Sequence, residues 1–178
     1  MIIYYLIFMT TFCFNQESQI IFEFNKKSNI NTWQVVDDGV MGGRSVGQFS
    51  LNEEGNGLFE GHVSIENNGG FSSIRLNTND LQIHTHKTIS LSLKGDGSVY
   101  QFRLKGSRYE RHSYIFNFQT SGKWETIEIP LQDMTPSFRG FKLEISNFDQ
   151  DAIEQIGFLK ASKKNTSFQL EIKHIHLK

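Results

Sequence analysis

Apolar and polar positions alternate with a period of two over much of this chain, in short blocks separated by glycine and asparagine. In residues 58–66, Phe59, Val63 and Ile65 fall on one side; Glu60, His62, Ser64 and Glu66 fall on the other. Such a block is a strand with one wet face, because successive side chains of an extended backbone point to opposite sides. Residues 89–93, 100–104 and 114–118 repeat the pattern. Further strands are expected at 20–24, 31–36, 46–51, 71–76, 124–129, 152–159 and 167–177. Pro130 stops the 124–129 run, since proline cannot donate to a ladder. Lys94-Gly95-Asp96-Gly97 is a tight-turn signal, so 89–93 and 100–104 are predicted to form a hairpin. Residues 77–81 suggest a helical turn, and 134–140 a loop.

Two runs break phase. Val46 is out of step with Phe49 and Leu51, which predicts a bulge or bend near Gly47. Ile175 and Leu177 are out of phase with Phe168, Leu170 and Ile172. A one-residue slip turns every following side chain to the other face, so a bulge is expected near Lys173-His174. Roughly ten short strands and no long amphipathic helix predict an all-β fold, a two-sheet sandwich of jelly-roll type.

Two glycine-rich corners flank the 58–66 strand. The first reads Asp37-Asp38-Gly39-Val40-Met41-Gly42-Gly43-Arg44-Ser45, and the second Asn67-Asn68-Gly69-Gly70-Phe71-Ser72-Ser73-Ile74-Arg75. Glycine at this density marks backbone at positive φ or in close approach to another group. Asn and Asp beside it tolerate left-handed geometry and bond their own backbone. Turn chemistry alone accounts for these residues; a docking surface would use the same ones.

Composition narrows the picture. A chain of 178 residues reads as one domain, residues 20–178, behind an apolar leader at 1–19. One cysteine, Cys13, rules out an intrachain disulfide and a cysteine-based zinc site. A formal net charge of −1 argues against a broad nucleic-acid footprint. Residues 1–14 are too short for a comfortable membrane span and resemble the apolar part of a secretory signal. They lack a basic flank and a small-x-small cleavage site, and a mispredicted start or an added edge strand fits them too. The leader leans the chain towards export, and any membrane contact would come through it alone.

Gly43-Arg44-Ser45-Val46-Gly47 matches the G-x-S-x-G nucleophile elbow, which requires a helix after the serine. Residues 46–51, directly after it, read as a strand, so catalysis by Ser45 is not the expectation. The same glycines lack the Gly-Lys-Ser/Thr of a phosphate-binding loop. His84-x-His86 and His174-x-His176 could each offer two imidazoles, without the third ligand that zinc needs. Asp37 and Asp38 could hold calcium through oxygen, but a turn closed by an Asx bond fits them better. No metal and no cofactor is expected. On the 100–104 strand, Gln101 and Arg103 face away from Tyr100 and Phe102. If that face is concave, Gln101, Arg103 and Asn117 line a groove suited to sugar or peptide. An ordinary solvated sheet face gives the same pattern.

These motifs together resemble the complex I intermediate-associated protein 30 family. The first corner, with Trp33 before it, starts the match. Phe59-x-Gly61-x-Val63-Ser64 and Glu66-Asn67-Asn68-Gly69-Gly70-Phe71-Ser72-Ser73-x-Arg75 come next. Lys94-Gly95-Asp96-Gly97, Tyr100-x-Phe102-x-Leu104, Trp124, Ile129-Pro130, Pro136-x-Phe138-Arg139-Gly140 and Ile156-Gly157 complete it in order. The resemblance covers about residues 22–175. It implies a galactose-binding-like jelly roll and a non-enzymatic, chaperone-like factor for assembly of NADH:ubiquinone oxidoreductase. It supplies no catalytic residues. The mitochondrial member has a basic transit peptide and a long extension that this chain lacks. The expected partner is a protein client such as a respiratory complex subunit. The alternative is a glycan, bound as by a carbohydrate-binding module. Residues expected to touch a partner are Asp37, Asp38, Arg44, Asn67, Asn68, Phe71 and Arg75 around the corners, with Gln101, Arg103 and Asn117 on the sheet.

Overall fold

The computed structural model describes residues 18–178, so the apolar segment 1–14 and Cys13 lie outside the described residues. Two antiparallel sheets face each other. One contains β1 (Gln19–Glu23), β3 (Val46–Leu51), β4 (Gly57–Val63), β6 (Thr88–Gly95), β9 (Glu125–Pro130) and β13 (Thr166–Leu177). Its order is β3-β4-β13-β6-β9, with β1 paired to the end of β13. The other contains β2 (Trp33–Asp37), β5 (Phe71–Gln82), β7 (Val99–Lys105), β8 (Ser113–Gln119), β10 (Thr135–Phe138), β11 (Phe141–Lys142) and β12 (Ala152–Ala161). Its order is β11-β10-β8-β7-β12-β5-β2. This is the two-sheet β-sandwich that the strand pattern implied, of the galactose-binding-like kind that the family resemblance implied.

The inward faces carry the alternating apolar residues. Phe59, Leu91, Leu93, Leu170 and Ile172 come from the six-stranded sheet and meet Ile74, Phe102 and Phe158 from the seven-stranded one; all are fully buried. Full burial of each such side chain contributes about 1.5–3 kcal/mol. At one end Phe22, Phe24, Trp33, Phe49 and Phe158 form a chain of ring contacts with centroids 4.5 to 6.5 Å apart. Those rings tie β1, β2, β3 and β12 across the two layers.

The bulge in the last strand is where the phase break put it: pairing of β13 with β6 slips between Ile172 and His174. Elsewhere the pattern misled. The 89–93 and 100–104 runs are not a hairpin. β6 pairs with β13 and β9, whereas β7 pairs with β12 and β8, so the turn between them crosses from one sheet to the other. Both strands point apolar residues inward, and alternation reads the same whether two strands are neighbours or face each other. No bulge occurs at Gly47, since β3 pairs with β4 in unbroken register and Val46 simply faces solvent. Residues 77–81 stay in β5; its pairing with β12 is irregular there, and Asn79 and Asp80 take positive φ in place of a helical turn. Residues 135–138 form a short strand on β8 where a loop was expected. The 58–66 strand ends at Val63, and Ile65 is exposed while Ser64 is buried.

Candidate functional site

The two glycine corners are one structure, held by Asp38. Its side chain is 1% exposed. Oδ1 accepts the Ser45 N–H at 3.0 Å, and Oδ2 accepts the Ser45 hydroxyl at 2.5 Å. Oδ2 also accepts the N–H groups of Gly70 at 2.7 Å and Phe71 at 3.1 Å, from the second corner. Burial pushes the Asp38 carboxyl upward, but these hydrogen bonds outweigh it and hold the group below its usual range. The glycines make room for this carboxylate. A Cβ on Gly43 would overlap Asp38 Oδ1, and one on Gly69 would lie 2.7 Å from Oδ2.

This geometry settles two motif readings. The Ser45 hydroxyl donates to Asp38 and accepts the Ser64 N–H at 3.0 Å, and β3 rather than a helix follows it. Ser45 is thus a strut of the corner. The Asp38 oxygens face donors, the reverse of what a cation requires. Asp37 Oδ2 accepts the Gly47 N–H at 3.0 Å. Asn67 donates to the Gly42 carbonyl at 3.0 Å, joining the corners a second time. Arg44 is exposed and pairs with Glu66 at 2.8 Å. His174 and His176 stack at 4.2 Å between ring centroids; burial first, and then its neighbour's charge, hold the His174 pKa down. Among the described residues no group of three His, Cys, Asp or Glu side chains could hold a metal ion.

A groove with a cavity of about 530 Å³ lies on the outer face of the seven-stranded sheet. Cross-strand rows from β5, β12 and β7 make its floor, Ser73–Leu159–Gln101 and Arg75–Gly157–Arg103, with Gln155 and Lys105 of the next row. Residues directly opposite in a sheet share a face, so each row presents its side chains together. In the middle row Gly157 carries no side chain between the two arginines. A Cβ there would overlap the Ile74 carbonyl oxygen and lie 3.4 Å from Arg75 Cγ, so the Arg75 stem lies beside that bare backbone. The second corner supplies the rim, with Asn68, Gly70 and Phe71. Phe138, Arg139 and Arg111 close the other side. Both guanidiniums sit over the Phe138 ring, Arg111 at 5.1 Å and Arg139 at 5.4 Å.

The groove is strongly basic. Arg75, Arg103, Lys105, Arg111 and Arg139 line it, and no carboxylate does among the described residues. The four arginines make no ion pair among the described residues. Burial lowers the Arg75 pKa. Burial, and then the adjacent Arg75 charge, lower that of Arg103 to about 10. Burial likewise lowers Lys105, whose ammonium donates to the Glu110 carbonyl at 2.6 Å. Two like charges are thus held together, partly dry, with no opposite charge paired to them among the described residues. Beside them Gln101 donates to Asn117 and Gln155 to Asn77, each at 2.9 Å.

Of the residues named from sequence, the structure gathers Asn68, Phe71, Arg75, Gln101 and Arg103 in this groove, with Asn117 bonded at its edge. Asp37, Asp38 and Asn67 bond inside the corners, and Arg44 lies outside the groove lining. Sequence reasoning missed Lys105, Gln155 and Arg111, and it named Phe138 and Arg139 only within the Pro136-x-Phe138-Arg139-Gly140 motif, without a binding role. The first was reachable, two positions beyond Arg103 on the same strand. Arg111 and Arg139 sit outside regular alternation and carry no such signal.

Solved structures share this fold. The family 11 carbohydrate-binding module from Clostridium thermocellum, in complex with a β-1,3-1,4-mixed-linked tetrasaccharide, aligns with a TM-score of 0.66 and 17% identity over 90% of this chain and 94% of its own. The family 11 module of the Clostridium thermocellum cellulosomal cellulase Lic26A-Cel5E gives 0.67 at 15% identity, with the same coverage of 90% and 94%. A point mutant of the family 29 carbohydrate-binding module CBM29-2 gives 0.57 at 11% identity over 92% of each chain. At these identities the likeness is one of fold. No curated protein sequence matches the chain. The family model for complex I intermediate-associated protein 30 (CIA30) matches residues 22–172, most of the chain, and the protein therefore belongs to that family.

Proposed function

We propose that this chain is a non-catalytic binding module that holds a protein client during assembly of respiratory complex I, through the groove on its seven-stranded sheet. The observation that carries the reading is the pair Arg75 and Arg103 astride Gly157, charged and without a partner among the described residues. Unpaired charge in a cleft lowers stability, and such groups are kept where they act on something else. The family, described by its association with complex I intermediates, supports the assembly setting. The use of Ser45 and Asp38 as corner struts supports a non-catalytic reading.

The test is genetic, in a cell that has complex I. Deleting the gene is expected to deplete assembled complex I on native gels and to accumulate its subcomplexes. The wild-type chain restores assembly, and Gln101→Trp, which fills the groove, does not. Normal complex I in the deletion strain would sink the reading.

A second reading is a carbohydrate-binding module. The amide pairs Gln101–Asn117 and Gln155–Asn77 favour it, because their remaining donors and acceptors suit sugar hydroxyls. The fold likeness is consistent with it but is weak warrant alone. A glycan array without binding would remove it.

A further inference from the structure

We infer that the groove reads carboxylates: Arg75 and Arg103, on either side of Gly157, take a side-chain carboxylate from an acidic, extended segment of a client protein. The inference rests on the protein-client reading above and names the chemistry of the client.

Charge selects the ligand class. Five cationic side chains line the groove without a carboxylate among the described residues, although the whole chain is nearly neutral at −1. The positive charge is therefore local. A guanidinium presents a planar fork that matches a carboxylate in two parallel hydrogen bonds. Gly157 between them carries no side chain, so an anion resting on that row meets the two arginine side chains alone. An anion there is attracted by both charges and lifts their mutual repulsion, in a site partly shielded from water. Arg111 and Arg139 at the far wall extend the positive field and favour encounter with a chain carrying several acidic residues.

The rings favour peptide over acidic sugar. Sugar recognition uses flat aromatic faces, and the lining holds no tryptophan or tyrosine among the described residues. Its rings are Phe71, Phe138 and the fully buried Phe158, and Phe138 already carries two guanidiniums. The amides beside the arginines suit the N–H and C=O groups of an extended backbone.

The test uses a fluorescein-labelled peptide of alternating glutamate and glycine, its glutamine counterpart, and an oligogalacturonate, read by anisotropy or calorimetry. The glutamate peptide is expected to bind at least about tenfold more tightly than the glutamine peptide. Its affinity should fall between about 50 mM and about 300 mM salt, as charge attraction is screened. Arg75→Gln and Arg103→Gln should each lose about tenfold in affinity, while Arg44→Gln, outside the groove, keeps wild-type binding. Arg103→Lys, which keeps charge but loses the fork, should also weaken binding. Thermal melts of each variant report folding directly. Equal binding of the two peptides, an equal loss in Arg44→Gln, or binding of the uronate alone would overturn the inference. If the peptide fails while Gln101→Trp still blocks complex I assembly, the client reading stands and the carboxylate inference falls. If the peptide binds and the deletion strain has normal complex I, the carboxylate site stands and the assembly setting falls.

Discussion

The Asp38 carboxylate accepts the Gly70 backbone N–H at 2.7 Å, joining two corners that are 32 positions apart in the chain. The same oxygen takes the N–H of Phe71, which begins β5 and stands at the rim of the groove. Asp38 thus sets the position of the rim without lining it. Corner and groove are mechanically linked although their side chains do different work.

Asp38→Ala should therefore destabilise the fold more than an ordinary surface change. It strands the N–H groups of Ser45, Gly70 and Phe71 and leaves the buried Ser45 hydroxyl only the longer contact to the Ser64 carbonyl, at 3.3 Å. A lost charge-assisted hydrogen bond is worth about 1.5–3 kcal/mol, and stranded buried donors add to it, so a loss of about 3 kcal/mol is expected in urea unfolding. Ser45→Ala removes one of the four bonds to Asp38 and also strands the Ser64 N–H, and should cost about 2 kcal/mol. A catalytic serine would show the opposite balance, with stability kept and an activity lost.

Asp38 also makes a pH prediction. Its folded pKa lies below the ordinary 3.8, so the unfolded chain binds the proton more readily. The stabilisation is complete above the unfolded value and is lost as pH falls through the folded one. The stability gap between wild type and Asp38→Asn should be flat near neutrality and shrink below pH 3.8. Urea melts across the acid range measure it. A gap that widens on acidification would contradict the assignment.

Gly157→Ala is expected to destabilise by about 1–3 kcal/mol, the usual cost of overpacking. Its new methyl would run into the Ile74 carbonyl oxygen, and backbone cannot step aside as a flexible side chain can. Gly39→Ala is the control, because no atom of the described residues lies within 4 Å of a Cβ there.

The contrast between corner and groove also explains what the sequence could reveal. Asp38 and its glycines were legible as a shaped corner because turn chemistry is local. Their function as a staple was not, because the acceptor and the Gly70 donor meet only in the fold. A phase break is local too: the slip at Ile172–His174 was readable in advance, whereas the break at Val46 marked only an exposed apolar residue. Sheet membership is not local: β6 and β7 looked like a hairpin because inward alternation is the same in both arrangements. The groove needed that same missing information. Arg103 announced its face by alternation with Phe102, but its approach to Arg75 depends on β12 lying between β7 and β5.

Arg103→Met should make the protein more stable and less able to bind. The side chain is half-buried, beside Arg75, with no ion pair among the described residues, and its pKa of about 10 records the cost of keeping it charged there. Replacing a poorly compensated buried charge by an apolar chain of similar length often stabilises. After allowance for the screening of a groove open to water, a gain of about 1 kcal/mol is expected, seen as a melting temperature higher by a few degrees. A residue kept only for the fold would show the reverse sign. A lower melting temperature for Arg103→Met would mean that the guanidinium holds the sheet together, and the argument that it is retained for a ligand would lose its basis.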